Sequence, residues 1–177
     1  MLSEGKKSLI EKLTRSQIYQ DYEKAFSHTT GLPLALRPVE VWQLVQQGKK
    51  NQNPFCALMG QNSHSCAACL ETQRKLVGTS DKNSKIMACF AGLCEAVVPI
   101  YVGSELIGYL QTGQVFLKNP SKSDFAKIAR TLMNWGFKVN LNKVEEAYFH
   151  TKVLTSSQFE AVVRLITIFA QHLSIIS

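Results

Sequence analysis

The sequence predicts an α+β domain: an antiparallel sheet with flanking helices and a long helix at its C-terminal end. Three observations carry this. Residues 85–116 read as β and contain Gly103-Ser104, a two-residue hairpin turn that joins antiparallel strands. The segments on either side show helical spacing behind capping residues. Residues 155–176 repeat apolar side chains every three or four positions. With 177 residues, 45% hydrophobic and only 19% charged, the chain can bury one sizeable core and is not disordered as a whole.

Residues 3–13 read as a short polar helix that Ser3 can cap, and Ser16 can cap a second over Gln17–Thr29, with Ile18, Tyr22, Ala25 and Phe26 at helical spacing. Thr30-Gly31-Leu32-Pro33 ends it, and Leu34–Leu36 begins a strand. Val39–Gln46 is a short apolar stretch containing Trp42, and residues 47–53 are a polar loop. Asn53-Pro54 opens a helix, Asn as cap and Pro at the first position, which puts Cys56 on its first turn. Residues 63–66 read as a turn, with Ser65 capping a helix over Cys66–Val77. Ile86–Cys89, Glu95–Val102 and Leu106–Phe116 are strands, and Gly108 and Gly113 inside the last mark bulges or close approaches. Asn119-Pro120-Ser121 is a break, Ser123 can cap a helix over Asp124–Asn134, and residues 143–152 form another. Thr155-Ser156-Ser157-Gln158 begins the last helix with a near capping box. Its Phe159, Val162, Ile166, Phe169, Leu173 and Ile176 fit either a core stripe or a dimer seam.

The net charge of +7 is diffuse, which suits a solvated basic surface better than a nucleic-acid patch. The first residues carry no apolar signal region, and no apolar run approaches membrane-spanning length, so a cytoplasmic protein is expected. Thiols stay reduced there, and five cysteines then argue for metal, ligand or redox chemistry rather than disulfides.

Four of them, Cys56, Cys66, Cys69 and Cys89, fall within 34 residues with the spacing C-x9-C-x2-C-x19-C. Only one tight C-x-x-C is present, so a ready-made zinc ribbon is not expected. A four-thiolate zinc site assembled from two helix starts and a strand end stays open, as does a reactive or apolar thiol pocket. Cys66 and Cys69 share a face at a helix start, where the dipole favours the thiolate. Cys94 reads as a small buried hydrophobe and His64 as a lone surface histidine.

No catalytic constellation stands out. There is no G-x-S-x-G, Walker loop or G-x-G-x-x-G; His28, His64, His150 and His172 are scattered; and Glu145-Glu146 belongs to a solvated face.

Taken in order, Phe26, Thr30-Gly31-Leu32-Pro33, Asn53-Pro54-Phe55-Cys56, Cys66-Ala67-Ala68-Cys69, Cys89-Phe90-Ala91-Gly92-Leu93, Val98-Pro99-Ile100 and Leu106-Ile107-Gly108 through Thr112-Gly113-Gln114-Val115 resemble the PocR sensory-domain family. The resemblance covers about residues 15–172. It implies a PAS-like fold, with helices on one side of a small antiparallel sheet and a ligand cavity between. It also implies sensing of small hydrocarbon derivatives such as short alcohols or diols, and a separate output module, an AraC-type helix-turn-helix or a kinase, absent from these residues. The family's cysteines fall on Cys56, Cys66, Cys69 and Cys89; Phe90 stands where many members carry histidine.

The expected organisation is a helical extension (1–14), a sensor domain (15–154) and a signalling or dimerisation helix (155–177). The function expected is non-enzymatic sensing of a small-molecule effector by a homodimer. Trp42, Phe55, Phe90, Tyr101, Tyr109, Gln111 and Gln114 are the candidate pocket wall, with Tyr109 and Gln111 on one strand face and Gly113 leaving room beside them. Cys56, Cys66, Cys69 and Cys89 are the candidate zinc ligands. The rival readings are a zinc-containing nucleic-acid-binding module and a thiol redox sensor.

Overall fold

Four strands, β1 (Leu34–Pro38), β2 (Lys85–Ala88), β3 (Cys94–Val102) and β4 (Glu105–Val115), form an antiparallel sheet in the order β1-β4-β3-β2. The computed structural model describes residues 2–77, 82–138 and 140–176. Around the sheet, among the described residues, are α1 (Leu2–Arg15), α2 (Gln17–Thr30), α3 (Pro54–Met59), α4 (Ser63–Leu76), α5 (Lys122–Asn134), α6 (Leu141–Phe149) and α7 (Ser156–Ile176). The α+β class read from the sequence is the one found. The hairpin turn is also found, with Gly103 at φ +61° and Val102 opposite Glu105.

Strand alternation sorts the sheet residues by face. Leu34 and Leu36, Ala96, Val98 and Ile100, and Leu110 point to one face and form the main core with α1, α2 and α7. There Tyr22 stacks on Phe169 with ring centroids 3.6 Å apart. Arg37, Glu95, Val97, Tyr109 and Gln111 point to the other face, where Leu76 of α4 packs on Val97 and Tyr109. Helices therefore cover both faces rather than one, because the second face carries apolar side chains of its own. A further cluster, including Phe55, Leu93, Phe116, Phe125, Leu132 and Tyr148, joins α3, α5 and α6 at the end of the sheet. It is tied to the sheet by Phe116, whose N–H donates to Lys152 O (3.0 Å) while its carbonyl accepts from Leu154 N–H (2.9 Å).

Several starts differ from expectation. Helix α1 begins at Leu2, so Ser3 lies within it, and its side chain is outside the described set. Helix α4 begins one turn early, because Asn62 Oδ1 accepts from His64 and Ser65 N–H. Ser65 instead buries its hydroxyl and donates it to Met59 O at 2.6 Å. Ser121 rather than Ser123 caps α5, closing a full capping box with Asp124. On α2, Tyr19 and Phe26 are buried while Ile18 is 47% exposed. Of the two readings of the α7 stripe, the core one is found: Phe159, Ile166, Phe169 and Leu173 are buried against this chain's own core, while Ile176 is exposed. By length and composition α7 could cross a membrane, but its apolar stripe here is a core face.

Candidate functional site

The site begins at a bulge in β4. Its register with β3 shifts between Cys94 and Glu95, and Gly113 takes φ +139° there. A Cβ at this glycine would lie 2.5 Å from Cys94 O, so the position serves close backbone approach and offers no room to a ligand. Next to it Gln114 adopts φ +63°, a left-handed conformation uncommon for a residue with a side chain.

Asn53 holds Gln114 in place. Its N–H donates to Gln114 Oε1 (2.8 Å), and its Nδ2 donates to Gln114 O (3.1 Å) and to Thr151 Oγ1 (2.9 Å). Its Oδ1 meanwhile accepts from Phe55 N–H at 2.8 Å and caps α3. One side chain thus sets α3, and Cys56 with it, against the bulge. Cys89 sits in a tight turn after β2, closed by Cys89 N–H to Leu93 O (2.9 Å) and Gly92 N–H to Cys89 O (2.9 Å). Cys69 comes from the second turn of α4.

These elements enclose a small cavity of about 40 Å³ on the second sheet face. Cys56, Cys69, Cys89, Leu93, Glu95 and Gln114 line it from α3, α4, the turn after β2 and the sheet; Leu44, Val45 and Gln46 cover it. Behind the wall runs a polar relay. Arg37 Nη1 donates to Gln111 Oε1 (3.1 Å), Gln111 Nε2 donates to Glu95 Oε1 (3.5 Å), and Gln46 Nε2 donates to Gln111 O (2.8 Å).

Burial dominates the electrostatics. It pushes the Glu95 carboxyl up to about 7, against the opposing pull of the Gln111 amide and the Arg37 charge. It lowers Arg37 to about 10. Burial, then the neighbouring acidic groups, raises Cys56 well above its ordinary value and Cys69 to about 12. Cys89 is pushed up to about 11, again chiefly by burial. The expected dipole-favoured thiolate is therefore not found at Cys69. With Asn62 as the cap, Cys69 lies past the first turn, where the dipole has faded. Cys56, Cys69 and Cys89 are thus neutral thiols near pH 7. Their alkylation by iodoacetamide, followed residue by residue by mass spectrometry, is expected to run on the order of a hundredfold slower than that of a free cysteine.

Three of the four cysteines line the cavity, Cys66 does not, and among the described residues no three His, Cys, Asp or Glu side chains are grouped to hold a metal ion. His64 stacks on Trp135 instead (centroids 6.5 Å). As arranged, the donor set does not fit a tetrahedral thiolate centre.

Of the predicted wall residues, Gln114 lines the cavity and Gln111 stands behind it. Phe55 is buried in the cluster with Tyr148, Phe90 packs edge-on to Trp135, and Tyr109 lies beneath Arg37. Tyr101 is at the far end of β3, its carbonyl accepting from Ser174. Trp42 is 88% exposed, because residues 39–52 form turns rather than a core segment. Glu95 and Gln46 were missed. The signal for Glu95 was a lone carboxylate opening a strand that is otherwise apolar; Gln46 gave none.

The small mixed-polarity cavity thus lies between α3, α4 and the second sheet face, beneath the turns at residues 44–46. The family model described as "Sensory domain found in PocR" matches residues 12–177, and the chain belongs to this family. Among curated proteins it is similar to Regulatory protein PocR of Salmonella typhimurium, at 28% identity over 109 residues. That alignment covers 59% of this chain and 34% of the relative, so the chain spans about a third of the length of the curated protein it matches. No solved structure matches.

Proposed function

We propose that this chain is the non-enzymatic sensory domain of a cytoplasmic regulator, and that its effector, a short alcohol or diol, occupies the cavity bounded by Cys56, Cys69, Cys89, Glu95 and Gln114. The observation that supports this most is the cavity itself: a few polar anchors among neutral thiols and aliphatic side chains, at a scale suited to a very small molecule. Calorimetric titration with a panel of short alcohols and diols tests the reading. Saturable binding by at least one member supports it; no heat from any of them at tens of millimolar, a roughly estimated upper limit for so small a ligand, argues against it.

The effector would act by favouring one of two arrangements that an output module, helix-turn-helix or kinase, can read. We place that readout on α7 and on pairing of two copies. The stripe named in the sequence is used up inside the domain, but Leu165, Ile168 and Ile175 are 42%, 51% and 80% exposed. With His172 they repeat at three-four-three spacing, a seam that a two-fold partner would match with the same residues. Ile18 and Tyr22 of α2 flank it. Sedimentation of Ile168→Glu should show a wild-type dimer reduced to a folded monomer, whereas Phe169→Glu should fail to fold because its site is core. A dimer that survives Ile168→Glu removes this seam from consideration.

A further inference from the structure

A second depression lies on the far side of the turn after β2. That turn is a shared wall: Cys89 and Leu93 line the small cavity, whereas Ala88, Phe90, Gly92 and Cys94 line this groove. The groove holds about 620 Å³, a size typical of small-molecule sites. Its floor is apolar and includes Phe90, Phe116 and Ile128.

The polar part of its wall favours negative charge. The first turns of two helices border it: Asp124 belongs to the start of α5, and Ser156 is the first residue of α7. A helix N-terminus carries partial positive charge and spare N–H groups. Lys118 and Lys127 also line the groove, and both are exposed. Among the described residues neither is in an ion pair. The opposing carboxylate, Asp124, is engaged in its capping box, where it accepts from Ser121 N–H at 2.9 Å. Hydrogen bonds from Ser121, and then the two lysines, hold it below the ordinary carboxylate range. Two lysines against one carboxylate leave the wall with an excess of positive charge.

Tyr148 supplies an independent sign of a ligand. It is 1% exposed and lines the groove from α6. Its ring is fixed among Phe55, Phe116 and Phe125. Its hydroxyl makes no hydrogen bond among the described residues, and it lies near enough to Asp124 to feel that charge. Burial, and then Asp124, pushes the phenol up to about 12, so it keeps its proton. A buried hydroxyl that keeps its proton is a donor, and a donor without an acceptor is costly until one is supplied from outside.

We propose that the groove between the turn after β2 and the first turns of α5 and α7 binds a small organic anion, with Tyr148, Lys118 and Lys127 on its anionic oxygens and the apolar floor under its body. The site is separate from the small cavity, so it stands or falls apart from the sensory reading. A neutral compound of the same shape would meet the floor but forgo the charge-assisted hydrogen bonds.

Titration of the isotope-labelled full chain with benzoate, hexanoate and phenyl phosphate, each up to about 10 mM, tests this by amide shifts followed residue by residue. At least one anion should give saturable shifts at Gly92, Lys127 and Ser156. Benzamide, the neutral counterpart of benzoate, should bind about tenfold or more weakly than the anions. Tyr148→Phe should weaken the bound anion about tenfold without lowering the thermal midpoint, because the hydroxyl has no internal partner to lose. Joint replacement of Lys118→Gln and Lys127→Gln should weaken it by a similar factor, while Lys7→Gln on α1 should change nothing. The absence of saturable shifts in the groove from all three anions, equal affinity for benzamide, or an unchanged Tyr148→Phe profile overturns the site. Shifts scattered over the basic surface instead of the groove mean charge attraction alone and overturn it too. If Tyr148→Phe does not fold, the lysine replacements and benzamide decide.

Discussion

Asn53→Ala is expected to lower stability by about 3 kcal/mol, measured as a shift in the urea midpoint at constant slope. The substitution removes the cap of α3, worth about 1 kcal/mol. It also strips the donors from the Gln114 carbonyl and the Thr151 hydroxyl in a buried setting, at about 1–3 kcal/mol for a group left unsatisfied. Asn53→Ser separates the two losses, because serine keeps an oxygen that can cap Phe55 N–H and discards the donor amide. It should fall between wild type and alanine. If alanine costs no more than an ordinary exposed cap, Asn53 does not hold the bulge to α3.

Glu95→Gln should do the opposite and stabilise the protein above neutral pH. In the unfolded chain this carboxyl releases its proton near its ordinary value of 4.5; in the folded protein burial moves this up to about 7. Below the lower value both states hold the proton, and variant and wild type should match. Between the two values the folded state binds a proton that the unfolded state has lost, so wild-type stability falls as pH rises. Above the upper value the full penalty applies, about 3 kcal/mol. The advantage of the variant should therefore grow from about pH 4.5 to pH 7 and then level off. Urea unfolding of both proteins across this range checks it, and a pH-independent difference would mean that the carboxyl is not held neutral by burial.

Much of the fold was legible because its signals are local. Asn53-Pro54, Ser16, Thr155 with Gln158, and Gly103-Ser104 mark their boundaries within four residues of sequence, and each is found in its expected role. The caps Asn62 and Ser121 are less legible, because neighbouring Ser65 and Ser123 can cap equally well in sequence and only the packing of the helix decides between them. The site was less legible. Cys56, Cys69 and Cys89 meet as a set because three separate elements converge, whereas the aromatic residues of the expected wall share a residue type but are distributed over several clusters. Sequence spacing put Gln111 and Tyr109 on the right face. It could not show that Arg37 and Glu95 would lie at the two ends of the Gln111 amide, because that depends on the register of β1 and β3 with β4.

The cover over the cavity differs in kind from the rest of the molecule. Between Pro38 and Pro54 there is no helix or strand. What holds this stretch includes side-chain amides: Gln46 to Gln111 O, Gln73 to Gln43 O and to Val45 N–H, and Asn51 to Ser27 O. A ladder opens cooperatively, but isolated amide contacts let go one at a time, each worth about 1 kcal/mol. Backbone hydrogens around Val45 should exchange with solvent deuterium well before those of β3 and β4, and an occupant of the cavity should slow that exchange while leaving the sheet unchanged.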